Sequence, residues 1–405
     1  MKKELVLKIF EGFSIERWND LIRPFDVVEM DKAAEKMVAS YIIAKYEENR
    51  GVKIDWEWMI YASLFDLLRK IQLCDIKSPV QSIIKNEYPQ EFIKLNNWVL
   101  DQYRNLIDDS SLMERFEHYI RQRNGEEPFE ENQEQTCRIF RAAHKYSTLR
   151  ELEMISAVNE AERLEKIRLE LNADLQQYLD LRGLQLLITK QKPFDFIMRI
   201  EQLRFQTRWN QTPRIPKTSV LGHCFFVAVL TLLFTRESKV KMCRKRIYNN
   251  FFSALFHDLP ESVTRDIISP VKKATDGLPA IVKNIEDKIV ANELVPFMED
   301  FYRDEILYFT SDEFENRVCL GEKIYHVSFE DLNEKYNFDE LSPVDGKMVR
   351  VADHLSALLE AGISIKHGIT STHLEEGKAN LLKAYQSGET INGIDAASIF
   401  KEFSL

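Results

Sequence analysis

Four side chains in the second half of this 405-residue chain have the types and settings of metal ligands. His223 stands just before the apolar run Phe225 to Phe234. His257-Asp258 closes the apolar stretch 247–256, and Asp353 lies within a third, Lys347 to Leu359. Imidazole and carboxylate together suit a borderline divalent cation such as Mn, Co, Zn, Fe or Ni. Four such ligands leave coordination positions for water and a phosphate oxygen, and a cation there would acidify water and polarise a phosphoryl group. Adjacent helical residues point about 100° apart. His257 and Asp258 can therefore share one ion only near a helix end, with further helices supplying His223 and Asp353.

Other residues extend this chemistry. Glu261, three positions after Asp258, falls on the same helical side and could act as general acid or base. Arg208 could neutralise phosphate charge with its fork of donors. Trp209 offers a flat wall for a sugar or base, and Asp266 could accept from a sugar hydroxyl. Lys272 could approach phosphate or face solvent. Each residue alone has a plainer reading: a structural histidine, an arginine-paired aspartate, a core tryptophan. The ordered set His…His-Asp…Asp, each on an apolar helix, points to a metal site.

The elements that must carry these residues read as helices, and the fold class as all-α. Strand-like alternation is scarce and helix formers dominate. Apolar positions recur at helical spacing over 30–48, 56–72 and 91–107. Residues 149–182 contain neither Pro nor Gly and read as one long helix or two nearly continuous ones. Gly183 and Lys192-Pro193 mark a break, so the expected domains are 1–185 and 186–405. That length accommodates two ordinary domains. The net charge of −10 and pI near 5.5 exclude a broad attraction to nucleic acid or anionic lipid. Five scattered cysteines without a CxxC fit a reducing compartment. The start lacks a signal peptide's apolar stretch, and Phe225 to Phe234 is short for a bilayer span, so the expected location is cytoplasmic.

The two domains also read as one sequence written twice. Ser63-Leu64-Phe65-Asp66-Leu67-Leu68-Arg69-Lys70, followed by Asp75-Ile76 and Ser78-Pro79-Val80, parallels Ala254 to Glu261, Asp266-Ile267 and Ser269-Pro270-Val271. At the same offset of 191, Arg17-Trp18-Asn19 matches Arg208-Trp209-Asn210 and Arg23 matches Arg214. At an offset of 209, Arg141 to Ser147 faces Arg350 to Ser356. In this alignment Lys32 stands for His223, Asp66 for His257, Leu67 for Asp258, Lys70 for Glu261 and His144 for Asp353. Such a set cannot assemble the metal site. The first half is expected to be a degenerate copy that packs as the partner in an intramolecular pseudo-dimer. A regulatory pocket, with Lys32 and Lys70 binding a phosphate beside Arg17-Trp18, is the rival role.

The segment 195–370 resembles the HD-domain phosphohydrolases, most closely the YfbR-like 5′-deoxynucleotidases. The likeness rests on Arg208-Trp209, His223, His257-Asp258 with Glu261, Thr264-x-Asp266 with Ser269-Pro270-Val271-Lys272, and Val351-Ala352-Asp353. The resemblance implies that His223, His257, Asp258 and Asp353 bind one divalent metal. It implies catalytic and phosphate-binding roles for Glu261 and Arg208, and substrate contacts from Trp209, Thr264, Asp266 and Lys272. The implied reaction converts a deoxynucleoside 5′-monophosphate to deoxynucleoside and phosphate. A dNTP triphosphohydrolase and a non-catalytic nucleotide sensor are the alternatives. The chain departs from the family in its extra half, in Leu259-Pro260, and in Gly222, where a Glu usually precedes the first His.

Overall fold

Long runs of Ala, Leu, Glu, Lys and Arg with few glycines favour helix, and the computed structural model is helical almost throughout. It describes residues 1–74, 76–265, 275, 277–321, 323–386, 388 and 390–405. The first half contains α1 (Lys3–Phe10), α2 (Glu29–Asn49), α3 (Trp56–Leu73), α4 (Ser78–Glu87), α5 (Pro89–Tyr103), α6 (Ser110–Asn124), α7 (Glu131–Ser156), α8 (Ala161–Gln176) and α9 (Arg182–Ile188). The second contains α10 (Lys192–Phe205), α11 (Val220–Glu237), α12 (Arg244–Phe256), the one-turn α13 (Glu261–Thr264) and α14 (Leu278–Glu293). After these come α15 (Asp300–Thr310), α16 (Phe329–Glu334), α17 (Gly346–Lys366), α18 (Thr372–Ala384) and α19 (Ala396–Glu402).

Helices α2 and α11 lie against each other at the centre. Helices α3 and α7 pack on α2, while α12 and α17 pack on α11. One continuous apolar core runs through both halves, from Leu5 to Phe403. Helix α11 is long and apolar enough to cross a bilayer, but its side chains are buried among these neighbours. Burying rings such as Phe225, Phe226 and Phe234 contributes roughly 2 kcal/mol each.

The stretch 149–182 is two helices, with a turn between Ser156 and Ala161. Asn159 closes that turn by donating to the Ile155 carbonyl (2.9 Å) and the Ile22 carbonyl (2.8 Å). A small antiparallel sheet, absent from the sequence reading, is built from β1 (Asn316–Leu320), β2 (Lys323–His326) and β3 (Val344–Asp345), with β1 central. Its β3 runs directly into α17. There Arg246 of α12 grips the Asp345 carboxylate through two bonds of 2.7 Å, both side chains fully buried. This clamp sets the start of the helix that bears Asp353.

Two turns, one in each half, are built alike. The bridge Glu16–Val28 recurs as Thr207–Ser219. Trp18 and Trp209 both take left-handed backbone angles, φ 55° and 53°. That conformation is strained for a bulky residue, and each indole is anchored. The Trp18 N–H donates to Glu151 (2.9 Å) and the Trp209 N–H to Glu360 (2.8 Å). The following arginine folds back in both places, Arg23 onto the Arg17 carbonyl and Arg214 onto the Arg208 carbonyl.

The seam between halves is polar as well as apolar. Arg204 of α10 is buried with its Nη2 3.0 Å from Glu35 and 3.2 Å from Glu151. Asp31 of α2 accepts from the Ser219 hydroxyl, and Ser219 caps α11 by accepting from the Gly222 N–H (2.9 Å).

Candidate metal centre

Helices α11, α12 and α17 converge on one partly exposed site. His223 enters from the first turn of α11, placed there by the Ser219 cap. His257 and Asp258 follow the last residue of α12, at the helix end that sharing one ion requires. Asp353 lies two turns into α17. Donor atoms of His223, His257 and Asp353 all fall within 4.8 Å of one another. The His257 Nε2 is 3.3 Å from the Asp258 carboxylate, and the His223 Nε2 is 3.0 Å from Asp353 and 3.9 Å from Asp258.

These residues fit a cation. The Nε2 atoms of His223 and His257, Oδ2 of Asp258 and Oδ1 of Asp353 are buried, and none makes an aligned hydrogen bond. Buried polar atoms without hydrogen bonds cost about 1–3 kcal/mol each, and four clustered at one place fit a bound cation. The tautomer agrees. The His257 Nδ1 faces the Ala254 carbonyl at 2.7 Å and must carry the proton there. Its Nε2 lone pair is then free for a ligand.

Arg208 closes one side. Its Nη1 is 3.6 Å from Asp258, its Nη2 3.6 Å from Asp353, and its Nε 3.3 Å from Glu360. Burial alone would lower its pKa, but Glu360, Asp353 and Asp258 hold the guanidinium charged. Burial would likewise raise Asp353, yet His223 and Arg208 hold it far below the usual carboxylate range.

Glu261 opens α13, just beyond the ligand pair, and its carbonyl accepts from Gln206 (2.9 Å). The Thr264 hydroxyl turns back to the Pro260 carbonyl (3.1 Å). Trp209 is half-buried, its N–H committed to Glu360 and its ring against α18, where a Cβ on Gly377 would approach it to 2.5 Å. Asp266 and Lys272 lie outside the described residues, as do Asp75 and Ser269-Pro270-Val271.

Sequence reasoning missed Glu360, which is 1% exposed. It accepts from Trp209 and from Thr218 (3.0 Å) and faces Arg208 and the His223 Nδ1 (3.5 Å). Ser356 was missed too; its hydroxyl lies 3.0 Å from the His223 Nδ1. Both stand at the 209 offset, opposite Glu151 and Ser147, so extending the alignment along the helix would have found Glu360. No curated protein sequence matches the chain. Residues 200–382 match the family model described as an HD domain, a segment that holds all four candidate ligands and Arg208. The match supports an HD-domain assignment for this segment, and that family's members are in general metal-dependent phosphohydrolases.

Proposed function

We propose that the protein hydrolyses deoxynucleoside 5′-monophosphates to deoxynucleoside and phosphate. The observation that carries this reading is the set of four buried donor atoms without an aligned hydrogen bond, with Asp258 and Asp353 both facing Arg208. The Arg208-Trp209 pair, Glu261 and Thr264 in their order then favour the nucleotidase branch of the family. A divalent cation held by His223, His257, Asp258 and Asp353 would polarise the phosphoryl group and acidify water beside it. Arg208 then neutralises charge on the non-bridging phosphoryl oxygens. Glu261 takes the proton from the attacking water as its oxygen bonds to phosphorus. The bond from phosphorus to the 5′ oxygen breaks, and Glu261 returns the proton to that oxygen. Glu360 keeps Arg208 and Trp209 in place.

The first half, in this reading, is a degenerate copy acting as an internal partner subunit. The paired turns and the conserved offsets support it. To test the activity, purified protein is incubated with Mn²⁺ or Co²⁺ and separate dNMPs, NMPs and dNTPs. Free phosphate from dNMPs, lost in Asp258→Ala, is the expected result. Triphosphate released from dNTPs would replace this reading with a triphosphohydrolase. No turnover with either metal would leave a nucleotide sensor.

A further inference from the structure

The first half has its own polar cluster where α2, α3 and α7 meet, the helices that match α11, α12 and α17 in sequence. Three pairs of residues, each one helical turn apart, meet there: Lys32 and Lys36 on α2, Asp66 and Lys70 on α3, His144 and Thr148 on α7. Two contacts show that the three faces converge. The Lys36 ammonium pairs with Asp66, and the Lys32 ammonium donates to the Thr148 hydroxyl (2.7 Å) and the His144 carbonyl (3.1 Å).

The ion pairs in this cluster do not use up its cations. Arg17 is held by Glu29 (2.7 Å) and Glu151 (3.0 Å). Asp66 serves Lys36, with Arg123 at 3.7 Å. Lys32 is 1% exposed and bonds only neutral acceptors. Lys70 has no hydrogen-bond or ion-pair partner among the described residues. Two ammonium groups thus form no ion pair of their own, with Glu151, Glu35 and Glu29 attracting Lys32 and Glu29 and Asp66 attracting Lys70 only from further off, and burying a charge without a direct partner is costly. Lys70, His144 and Thr148 are each half-buried, so the cluster is reached from the surface. Metal cations are disfavoured, because the ammonium groups of Lys32, Lys36 and Lys70 would repel one.

We propose that this cluster is an anion site for a phosphate dianion, free or as the phosphate of a nucleotide, held by Lys32 and Lys70. A charge of −2 matches the two ammonium groups left over. Burial pushes both lysines below their ordinary pKa, and burial together with Lys32, Lys70 and Lys36 pushes His144 well below the usual imidazole range. A bound dianion would restore the protonated lysines.

The test is calorimetric titration of the full-length Asp258→Ala chain with inorganic phosphate and, separately, with a deoxynucleoside monophosphate. Disabling the other half lets this site and the proposed activity fail independently. One phosphate per chain is expected, weakened at least about tenfold, or 1.4 kcal/mol, by Lys70→Ala and kept by Lys70→Arg. Metal content in the Asp258-intact chain should stay near one ion per molecule with Lys70→Ala, which verifies folding. Much tighter binding of the nucleotide would identify it as the ligand, and equal binding would identify free phosphate; either supports the site. Binding unchanged by Lys70→Ala, or none at roughly 10 mM phosphate, would overturn it.

Discussion

At the scale of single residues, Glu360 governs the centre without touching a substrate. It accepts from Trp209 and Thr218 and faces Arg208 and His223. Glu360→Gln keeps the shape and removes the charge, so it should fold normally. Outer-shell changes of this kind cost 10–100-fold. We expect kcat or metal affinity to fall by about that factor, read from steady-state rates and metal titration; wild-type values would show that Glu360 is a packing residue. The histidines and aspartates were legible because they interrupt apolar helices, where they are costly without a partner. Glu360 was passed over because a glutamate within a helix resembles an ordinary surface residue until its burial is known.

At the scale of elements, the helix that bears His223 is shaped by the other half of the chain. A Cβ added to Gly222 would lie 2.6 Å from the Asp31 carboxylate and 2.9 Å from the Phe13 ring. Gly222→Ala should therefore destabilise by about 1–3 kcal/mol, seen as a lower denaturation midpoint, with partial recovery in Gly222→Ala/Asp31→Ala. An unchanged midpoint would mean that α2 and α11 separate readily. Most helices could be read from their spacing, because burial of one face imposes it. The break at Asn159 could not, since it depends on a bond to the distant Ile22. Nor could the β1–β3 sheet, whose short strands carry too few residues to show a period.

At the scale of the whole molecule, the buried seam links stability to pH. Burial raises the Asp31 carboxyl from 3.8 to about 6, against the pull of Arg204 and Ser219. A raised acid stabilises the fold fully below its unfolded pKa, and that contribution is lost as pH rises through the folded value. Asp31→Asn retains an acceptor for Ser219 without the charge. It should melt higher than wild type above pH 6, by up to about 3 kcal/mol, and converge with it near pH 4. A gap that widens toward low pH would refute this account. Residues 186–405 made alone should fail to melt cooperatively, because removing α2 uncovers α11; a stable, active fragment would disprove the dependence. The buried Arg204 also imposes an order on synthesis. Glu35 and Glu151 leave the ribosome before the guanidinium that they share. At roughly 5–20 residues per second, Glu35 waits on the order of 10–30 s for it. The first half therefore emerges with Glu151 held by Arg17 but Glu35 still without its ion pair, and translation of the second half supplies the guanidinium that joins the two.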